Sequence, residues 1–212
     1  MLERNEDRER LSSNAFRRLI DRILCQTEID LRQQAFTVLN IGCGNGIESM
    51  DIRAACLIRD VDCRVYAIDC EQGYIAHAKA TYPNDQIVFI EGNAADPTIQ
   101  STYPENANLV ILRHPEVTTY MPVRNDFLFE KYQRILTIAL ASMDSKSKLL
   151  ITTYNVIEHQ ILLRILATIP SLRMTRSEVN HLRDPLLERE NVKAGQIDCP
   201  DQYVIVATSR KL

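Results

Sequence analysis

Short apolar runs recur along the chain at intervals that suit a buried sheet. Each run is rich in Val, Ile, Leu and aromatic residues and is apolar almost throughout, which is typical of strands covered on both faces. The runs are residues 36–41, 63–68, 86–90, 108–112, 148–153 and 202–208, with a weaker candidate at 172–175. The pattern predicts a sheet whose strands are largely parallel.

Between these runs, apolar residues recur at the spacing of one helix face. Segments 46–59 and 71–81 follow the first two runs, and similar patterns flank the run at 148–153. Pro170 is expected to stop the last of these helices, whereas prolines leave only a loop or short turn within residues 96–106. The alternation predicts an α/β protein, a three-layer α/β/α sandwich with right-handed crossovers.

An amphipathic segment, residues 6–34, precedes the sheet. Its apolar positions form one stripe on an otherwise charged helix. The stripe members are Phe16, Leu19, Ile20, Ile23 and Leu24. Such a helix either covers the core or the sheet edge, or forms a lid over a site. We therefore divide the chain into an N-terminal helical appendage or lid, residues 1–34, and one domain, residues 35–212.

Composition narrows the class of protein. The chain has 212 residues, 45% of them hydrophobic, which is enough for one well-buried domain with an appendage. Its net charge of −3 gives no electrostatic reason to expect a nucleic-acid partner. The six cysteines include no C-x-x-C pair, and no apolar stretch is long enough to span a bilayer. We expect a cytoplasmic protein with reduced cysteines, no metal and no membrane partner.

The segment VLNIGCGNG, residues 38–46, carries the most chemical information. It reads as a strand, a tight glycine turn and the start of a helix, the arrangement that seats nucleoside cofactors. A dinucleotide fingerprint would place its third glycine at Ile47, but here it comes one residue early at Gly46, which disfavours a nicotinamide-dependent oxidoreductase. G-x-G-x-G followed by Asp69 at the end of the next run resembles motif I of the class I S-adenosylmethionine-dependent methyltransferases.

This resemblance implies a Rossmann-like, mostly parallel seven-stranded sheet with an antiparallel C-terminal strand, and S-adenosyl-L-methionine as cofactor. It implies that Asp69 accepts hydrogen bonds from the ribose diol, although an aspartate here also suits the cap of the next helix. The implied cofactor-binding residues are Asn40, Gly42, Cys43, Gly44, Gly46, Asp69, Cys70, Asn93, Ala94 and Arg113.

A second segment, IVFIEGNAADP at residues 87–97, resembles the adenine-binding part of the same family. The resemblance implies that the side-chain carbonyl of Asn93 meets the adenine amino group and the amide of Ala94 a ring nitrogen, while Ile68 and Cys70 form apolar walls. Asn40 and Asn93 stand where the family commonly has acids. Neutral hydrogen bonds are weaker than charge-assisted ones, so cofactor affinity is expected to be modest.

The fourth apolar run ends in Arg113, His114, Pro115 and Glu116, at the edge of the sheet where ligands gather in open α/β folds. His114 is the candidate catalytic base, since an imidazole can take a proton from an acceptor near neutral pH; Glu116 is a candidate to orient it. The alternative is a histidine that only orders the turn. We predict an S-adenosylmethionine-dependent methyltransferase of the EC 2.1.1 class with a small-molecule O, N or S acceptor, or a degenerate module that binds the cofactor and a partner.

Overall fold

A computed structural model describes residues 2–26, 36–115, 125–180 and 201–210. Its strands are β1 (Phe36–Ile41), β2 (Cys63–Asp69), β3 (Ile87–Glu91), β4 (Leu109–Arg113), β5 (Lys148–Thr153), β6 (Leu172–Val179) and β7 (Tyr203–Ser209). Its helices are α1 (Leu2–Gln26), α2 (Ile47–Ile58), α3 (Gln72–Thr81), α4 (Asn125–Ala141) and α5 (Val156–Ala167), with one 3₁₀ turn at Pro97–Thr102.

The strands form one sheet in the order β3-β2-β1-β4-β5-β7-β6. All neighbours are parallel except at β7, which runs antiparallel to both β5 and β6. The predicted three-layer α/β sandwich, with a mostly parallel seven-stranded sheet and an antiparallel C-terminal strand, is therefore confirmed. Because β1, β2 and β4 are parallel and adjacent, the segments that follow them meet at one carboxyl edge of the sheet.

Alternate residues of the central strands bury opposite faces of the sheet. In β4, Leu109 and Ile111 pack on the side of α1, α2 and α3, whereas Val110 and Leu112 pack on the side of α4 and α5. This is the two-residue period of a strand, and it explains why the run is apolar at every position. Both layers of helices thus rest on the same short strands.

Helix α1 belongs to the core. The five apolar side chains of its stripe are buried together with residues of α2, β1 and β2. The helix is fixed at its surface too, because Arg17 Nε lies 2.6 Å from Asp51 Oδ1 of α2. The predicted helix therefore covers one face of the sheet; residues 27–34 of the prediction lie outside the described residues, and a lid role stays a prediction.

The short turn predicted within residues 96–106 and the weak seventh strand are both present. The 3₁₀ turn lies within residues 96–106, and Asp96 caps it by accepting a hydrogen bond from the Thr98 amide at 2.9 Å. The weak candidate at 172–175 is the start of the eight-residue strand β6. That strand lies at the sheet edge, and Leu172 is its one buried side chain, so its apolar pattern is sparse.

Among the described residues, no helix has the length and apolarity that a membrane span requires. The same part of the chain contains no group of three His, Cys, Asp or Glu side chains arranged to hold a metal ion. Its five cysteines are free thiols, and Cys199 lies outside the described residues.

Candidate active site

The glycine turn after β1 leaves space for a ligand. Gly42 and Gly44 have φ angles of 74° and 53°, in the left-handed region that favours glycine, and a Cβ at either position would meet no atom within 4 Å. The amides of Gly42 and Cys43 both donate to the carbonyl of Ile68, at 2.7 and 3.0 Å, which fixes the turn against the end of β2. The open side of this turn is therefore accessible to a ligand.

Gly46 has a different role in the same motif. It caps the N-terminus of α2 with a φ of 92°, and a Cβ there would lie 2.8 Å from the Cβ of Ala78 and 3.1 Å from the ring of Phe89. This third glycine lets α2 approach α3 and β3 closely. Cys43, also in the turn, is buried, and burial raises the pKa of its thiol to about 12, so it stays protonated.

Asp69 joins the first two loops at the carboxyl edge. Its Oδ2 accepts a hydrogen bond from the amide of Gly44 at 2.8 Å, and its Oδ1 accepts one from the amide of Glu71 at 2.9 Å. The carboxylate thus holds the glycine turn and also shapes the start of α3. Each oxygen can accept a second hydrogen bond, so the ribose role implied by the resemblance stays possible beside the structural one.

A cavity of about 340 Å³ opens beside Asp69. This volume is within the usual range of small-molecule sites. Seven of the eleven residues that the sequence assigned to cofactor binding or catalysis border it: Gly42, Asp69, Cys70, Asn93, Ala94, Arg113 and His114. Asn40, Cys43, Gly44 and Gly46 do not. The apolar part of the wall comes from Ile41, Ile68, Leu112, Tyr132 and Ile135, of which the sequence pointed only to Ile68.

The loop after β3 supplies one side of this cavity. The Oδ1 atom of Asn93 accepts a hydrogen bond from the amide of Ala95 at 3.0 Å, which forms a local turn, and the amide of Gly92 donates to the carbonyl of Asp69 at 2.9 Å. Asn93 is exposed and Ala94 is buried against the wall. The contact between Asn93 and adenine stays a prediction.

Asn40 lies behind the glycine turn and not in the cavity wall. It is fully buried on the α2 side of the sheet, where its Nδ2 donates to Ser49 Oγ at 3.1 Å. Its Oδ1 is sealed from solvent without a hydrogen-bond partner in the described part of the chain. Any influence of Asn40 on a ligand is therefore transmitted through α2 and the turn.

Arg113, at the end of β4, is the centre of a buried charged group that we call the Arg113 cluster: Ser12, Glu48, Arg113 and Asp201. Its Nη1 donates to Glu48 Oε1 at 2.8 Å, and its Nη2 donates to Asp201 Oδ2 at 2.7 Å and to Ser12 Oγ at 3.0 Å. The guanidinium also lies 4.4 Å from the centroid of the Phe16 ring, a cation–π contact. Arg113 borders the cavity, but these donors are directed away from it, towards α1, α2 and β7.

The pKa values of the two acids of the cluster are shifted in opposite directions. Burial raises the pKa of Glu48 to about 7, and Arg113 offsets only part of that rise. Burial alone would raise the pKa of Asp201 as well, but Arg113, which donates to both of its oxygens, holds it far below its ordinary value. Asp201 is therefore a permanent carboxylate and Glu48 can change charge near neutral pH. The sequence analysis missed Glu48 and the role of Asp201. Glu48 could have been found from its position, because it is an acid in the first helical turn after the glycine motif.

His114 is held on several sides. Its backbone has a left-handed φ of 49°, its amide donates to the carbonyl of Thr152 at 2.9 Å, and its ring stacks on Tyr154 with 3.9 Å between centroids. The amide of Asp201 donates to its Nε2 at 2.8 Å. Burial lowers the pKa of the imidazole, so the ring is neutral at pH 7. Glu116 and residues 181–200 of the late loop lie outside the described residues.

Comparison with known proteins agrees with this architecture. The sequence model of a methyltransferase domain family matches residues 39–136, which span β1 to α4 and so include most of the cavity wall. Over this range the chain is similar to class I S-adenosylmethionine-dependent methyltransferase domains. The cofactor of this family is S-adenosylmethionine. A sequence search of curated proteins finds no match for the chain.

Solved structures share the fold of this chain at low sequence identity. TrmN from Thermus thermophilus has a TM-score of 0.60 at 16% identity, over 93% of this chain and 48% of that one. The chain thus spans about half the length of TrmN. A putative rRNA methylase from Clostridium thermocellum has a TM-score of 0.56 at 14% identity, covering 84% and 90% of the two chains. The plantazolicin methyltransferase BpumL, solved with S-adenosylhomocysteine and a substrate analogue, has a TM-score of 0.60 at 12% identity, covering 99% and 89%.

Proposed function

We propose that the chain binds S-adenosylmethionine in the cavity beside Asp69 and transfers its methyl group to an O, N or S atom of a small molecule. The observation that carries this proposal is the convergence of Gly42, Asp69 and Ala94 on one cavity at the carboxyl edge. Residues 35–212 would form the methyltransferase domain. Residues 1–34 would be its helical appendage, with α1 covering the side of the site on which Arg113 lies.

The residues present fit the cofactor. Positive φ angles and open space at Gly42 and Gly44 would admit the methionine part of the molecule to the turn. The carboxylate of Asp69 has unused acceptor capacity for the ribose hydroxyls, and the wall beside Ala94 is apolar enough for adenine. Cys70, exposed at the mouth, would border the adenosine.

The bound cofactor would supply an electrophilic methyl group on a sulfonium. The chain has to bind and orient the two reactants, because holding them in line supplies much of the rate enhancement of such a displacement. Asp69 would fix the ribose and the glycine turn the methionine end. His114 and the end of β4 border the part of the cavity where the acceptor would approach.

The net charge of the chain and the volume of the cavity, about 340 Å³, support a small-molecule acceptor. The chain carries a net charge of −3, whereas binding to a phosphate backbone is carried by an excess of Lys and Arg. An RNA acceptor is the competing outcome, because one structural neighbour is titled a putative rRNA methylase. The second candidate function is a cofactor-binding module without turnover. The uncharged, buried Asn40 favours it, because an amide stands there in place of the acid that the family commonly has.

Thermal unfolding with S-adenosylmethionine, S-adenosylhomocysteine or NAD tests cofactor binding directly. A ligand that binds only the folded chain adds about 2.7 kcal/mol of stability at 100 times its Kd. We expect both adenosyl ligands to raise the Tm and NAD to leave it unchanged; a rise with NAD alone would refute the proposal.

Transfer of labelled methyl groups to the small-molecule fraction of an extract, and not to its RNA, is then expected. Binding of S-adenosylhomocysteine without transfer to either fraction would favour the second candidate.

A further inference from the structure

We propose that His114 presents a fixed Nδ1–H donor to the methyl acceptor and is not the base of the reaction, and that Asp201 is the residue that positions it. The inference rests on the proposed function, since it concerns the cavity in which methyl transfer would take place. It replaces the sequence-based interpretation of His114 as a proton acceptor.

One ring nitrogen of His114 is already occupied. The backbone N–H of Asp201 donates to Nε2 at 2.8 Å, and the direction of a backbone N–H is fixed by its peptide plane. Nε2 must therefore turn a lone pair towards that amide. A neutral imidazole carries one proton, so the proton of His114 lies on Nδ1.

A competing contact exists, since Asp201 Oδ1 lies 3.0 Å from the same Nε2. A proton on Nε2 would satisfy this carboxylate, but the carboxylate is already paired with Arg113, which donates to it from both Nε and Nη2. The same proton would leave the buried amide of Asp201 unpaired, because Nε2 is its hydrogen-bond acceptor among the described residues. Loss of a buried amide hydrogen bond is costly, and the Nδ1–H form avoids it.

The charged form of the ring is disfavoured as well. His114 faces Asp201 from the start of β7, Arg113 from its own strand and Tyr154 from the end of β5. Burial is the largest influence on the pKa of His114 and lowers it, Arg113 lowers it further, and Asp201 only partly compensates. The imidazole is therefore neutral, with Nε2 as acceptor and Nδ1 as donor.

The Nδ1 side of the ring faces open space. His114 borders the cavity, and Nδ1 has no hydrogen-bond partner in the described ranges, nor is it one of the side-chain atoms there that are sealed from solvent. The ring cannot turn freely, because the Asp201 amide holds one edge and Tyr154 covers one face at 3.9 Å. Nδ1–H is thus a donor whose direction is set before any ligand arrives, which is what substrate orientation requires.

A hydrogen-bond donor at this place selects the methyl acceptor by the shape and polarity of that molecule. A substrate that fits would carry a carbonyl oxygen or a ring nitrogen beside the atom that is methylated, so that this group receives the Nδ1–H bond. The methylated atom attacks with its own lone pair, and as its bond to the methyl carbon forms, the carbon–sulfur bond of the sulfonium breaks and the sulfur leaves as a neutral thioether. Any proton on the methylated atom passes to water, because Nε2 of His114 is already occupied. Small carbonyl-bearing or heteroaromatic molecules are the class that meets both conditions.

Long-range ¹H–¹⁵N correlation spectra of the full chain labelled with ¹⁵N-histidine test the inference without a known acceptor. The resonances of His114 are assigned by their loss in His114→Asn, and His77→Asn, which changes an exposed helix position, is the matched control. We expect a protonated Nδ1 and an unprotonated Nε2 from pH 7 to pH 8. A protonated Nε2, or a ring charged at pH 7, would overturn the inference.

Asp201→Asn distinguishes the role of the backbone amide of residue 201 from the role of its side-chain carboxylate. This variant keeps the backbone amide but removes the carboxylate, so the same tautomer is expected if the amide positions the ring. A change of tautomer would assign that role to the carboxylate and contradict the inference. The same samples are titrated with S-adenosylhomocysteine: absence of binding with the Nδ1–H tautomer intact would count against the proposed function and leave the state of His114 established.

Discussion

Asp201 Oδ2 lies 2.7 Å from Nη2 of Arg113, although 88 positions separate the two residues. Both side chains are almost fully buried, with 2% and 7% of their surface exposed. The pair brings the residue before β7 to the end of β4 and places it between the cavity and α1. It thereby connects the stability of the fold with the geometry of the candidate active site.

Removal of the carboxylate should strongly destabilise the protein. Asp201→Ala leaves the buried guanidinium of Arg113 with Glu48 as its remaining anion among the described residues, and breaking one side of a buried ion pair typically costs about 3–5 kcal/mol. Urea unfolding at pH 7 measures this loss. The matched control is Asp21→Ala, which breaks an ion pair with Arg59 that is more than a third exposed. Equal losses in the two variants would contradict the structural role given to Asp201.

Asp69→Ala should weaken binding of S-adenosylhomocysteine by about 1.5–3 kcal/mol, the usual range for hydrogen bonds to a charged group. The variant removes the acceptors for the predicted ribose contact and also those for the amides of Gly44 and Glu71. Calorimetry on the folded variant gives the affinity. Asp69→Asn, which keeps one acceptor oxygen, should lose less. An unchanged Kd in Asp69→Ala would remove the ribose assignment.

Gly46→Ala should be far more damaging than alanine at an open glycine. A left-handed backbone costs a residue with a Cβ about 1–2 kcal/mol, and overpacking adds about 1–3 kcal/mol, because the new methyl would lie 2.8 Å from Ala78. Thermal or urea unfolding checks the sum. Gly73→Ala is the control: it lies in α3 with open space around its Cα, so the substitution should raise stability slightly. Similar values for both variants would disprove the close approach of α2 to α3.

Glu48 should make stability depend on pH. Its pKa of about 7 in the folded chain exceeds the ordinary value of 4.5, so the folded state holds this proton more tightly than the unfolded chain does. The contribution of Glu48 to stability therefore falls as the pH rises from about 4.5 to about 7 and then stays constant. Glu48→Gln cannot titrate, so wild type should lose stability relative to this variant between pH 5 and pH 7.5. A constant difference across that range, measured by urea unfolding, would contradict the burial of this carboxyl.

Much of the fold was predictable because its strands are short and buried on both faces. β1 and β5 have the bounds that their apolar runs predicted, and the other central strands differ by one residue at their ends. The length of the edge strand β6 was underestimated, because every side chain of the strand beyond Leu172 is exposed or partly exposed. Its pairing with β7 fixes this strand more than its composition does.

The cavity was predictable where the chain order itself brings residues together. Gly42, Asp69 and Ala94 follow parallel neighbouring strands, so their meeting at one edge follows from the topology. Lys131 and Tyr132 of α4 also border the cavity, but a helix face that meets a cavity has the same period as one that meets the core. The state of His114 depends on the amide of Asp201, a contact across 87 positions that no local pattern records.

The Arg113 cluster also constrains the order in which the chain can complete its fold during synthesis. Ser12 emerges from the ribosome first, Glu48 and Arg113 follow, and Asp201 comes last. In a nascent chain that already contains α1 to α5, Glu48 would be the one acid of the cluster available to Arg113, and its pKa of about 7 in the folded chain makes it a weak anion near neutral pH. Residues 201–210 therefore supply Asp201 as well as β7. Until they are synthesised, the region around β4 lacks the carboxylate that pairs with Arg113.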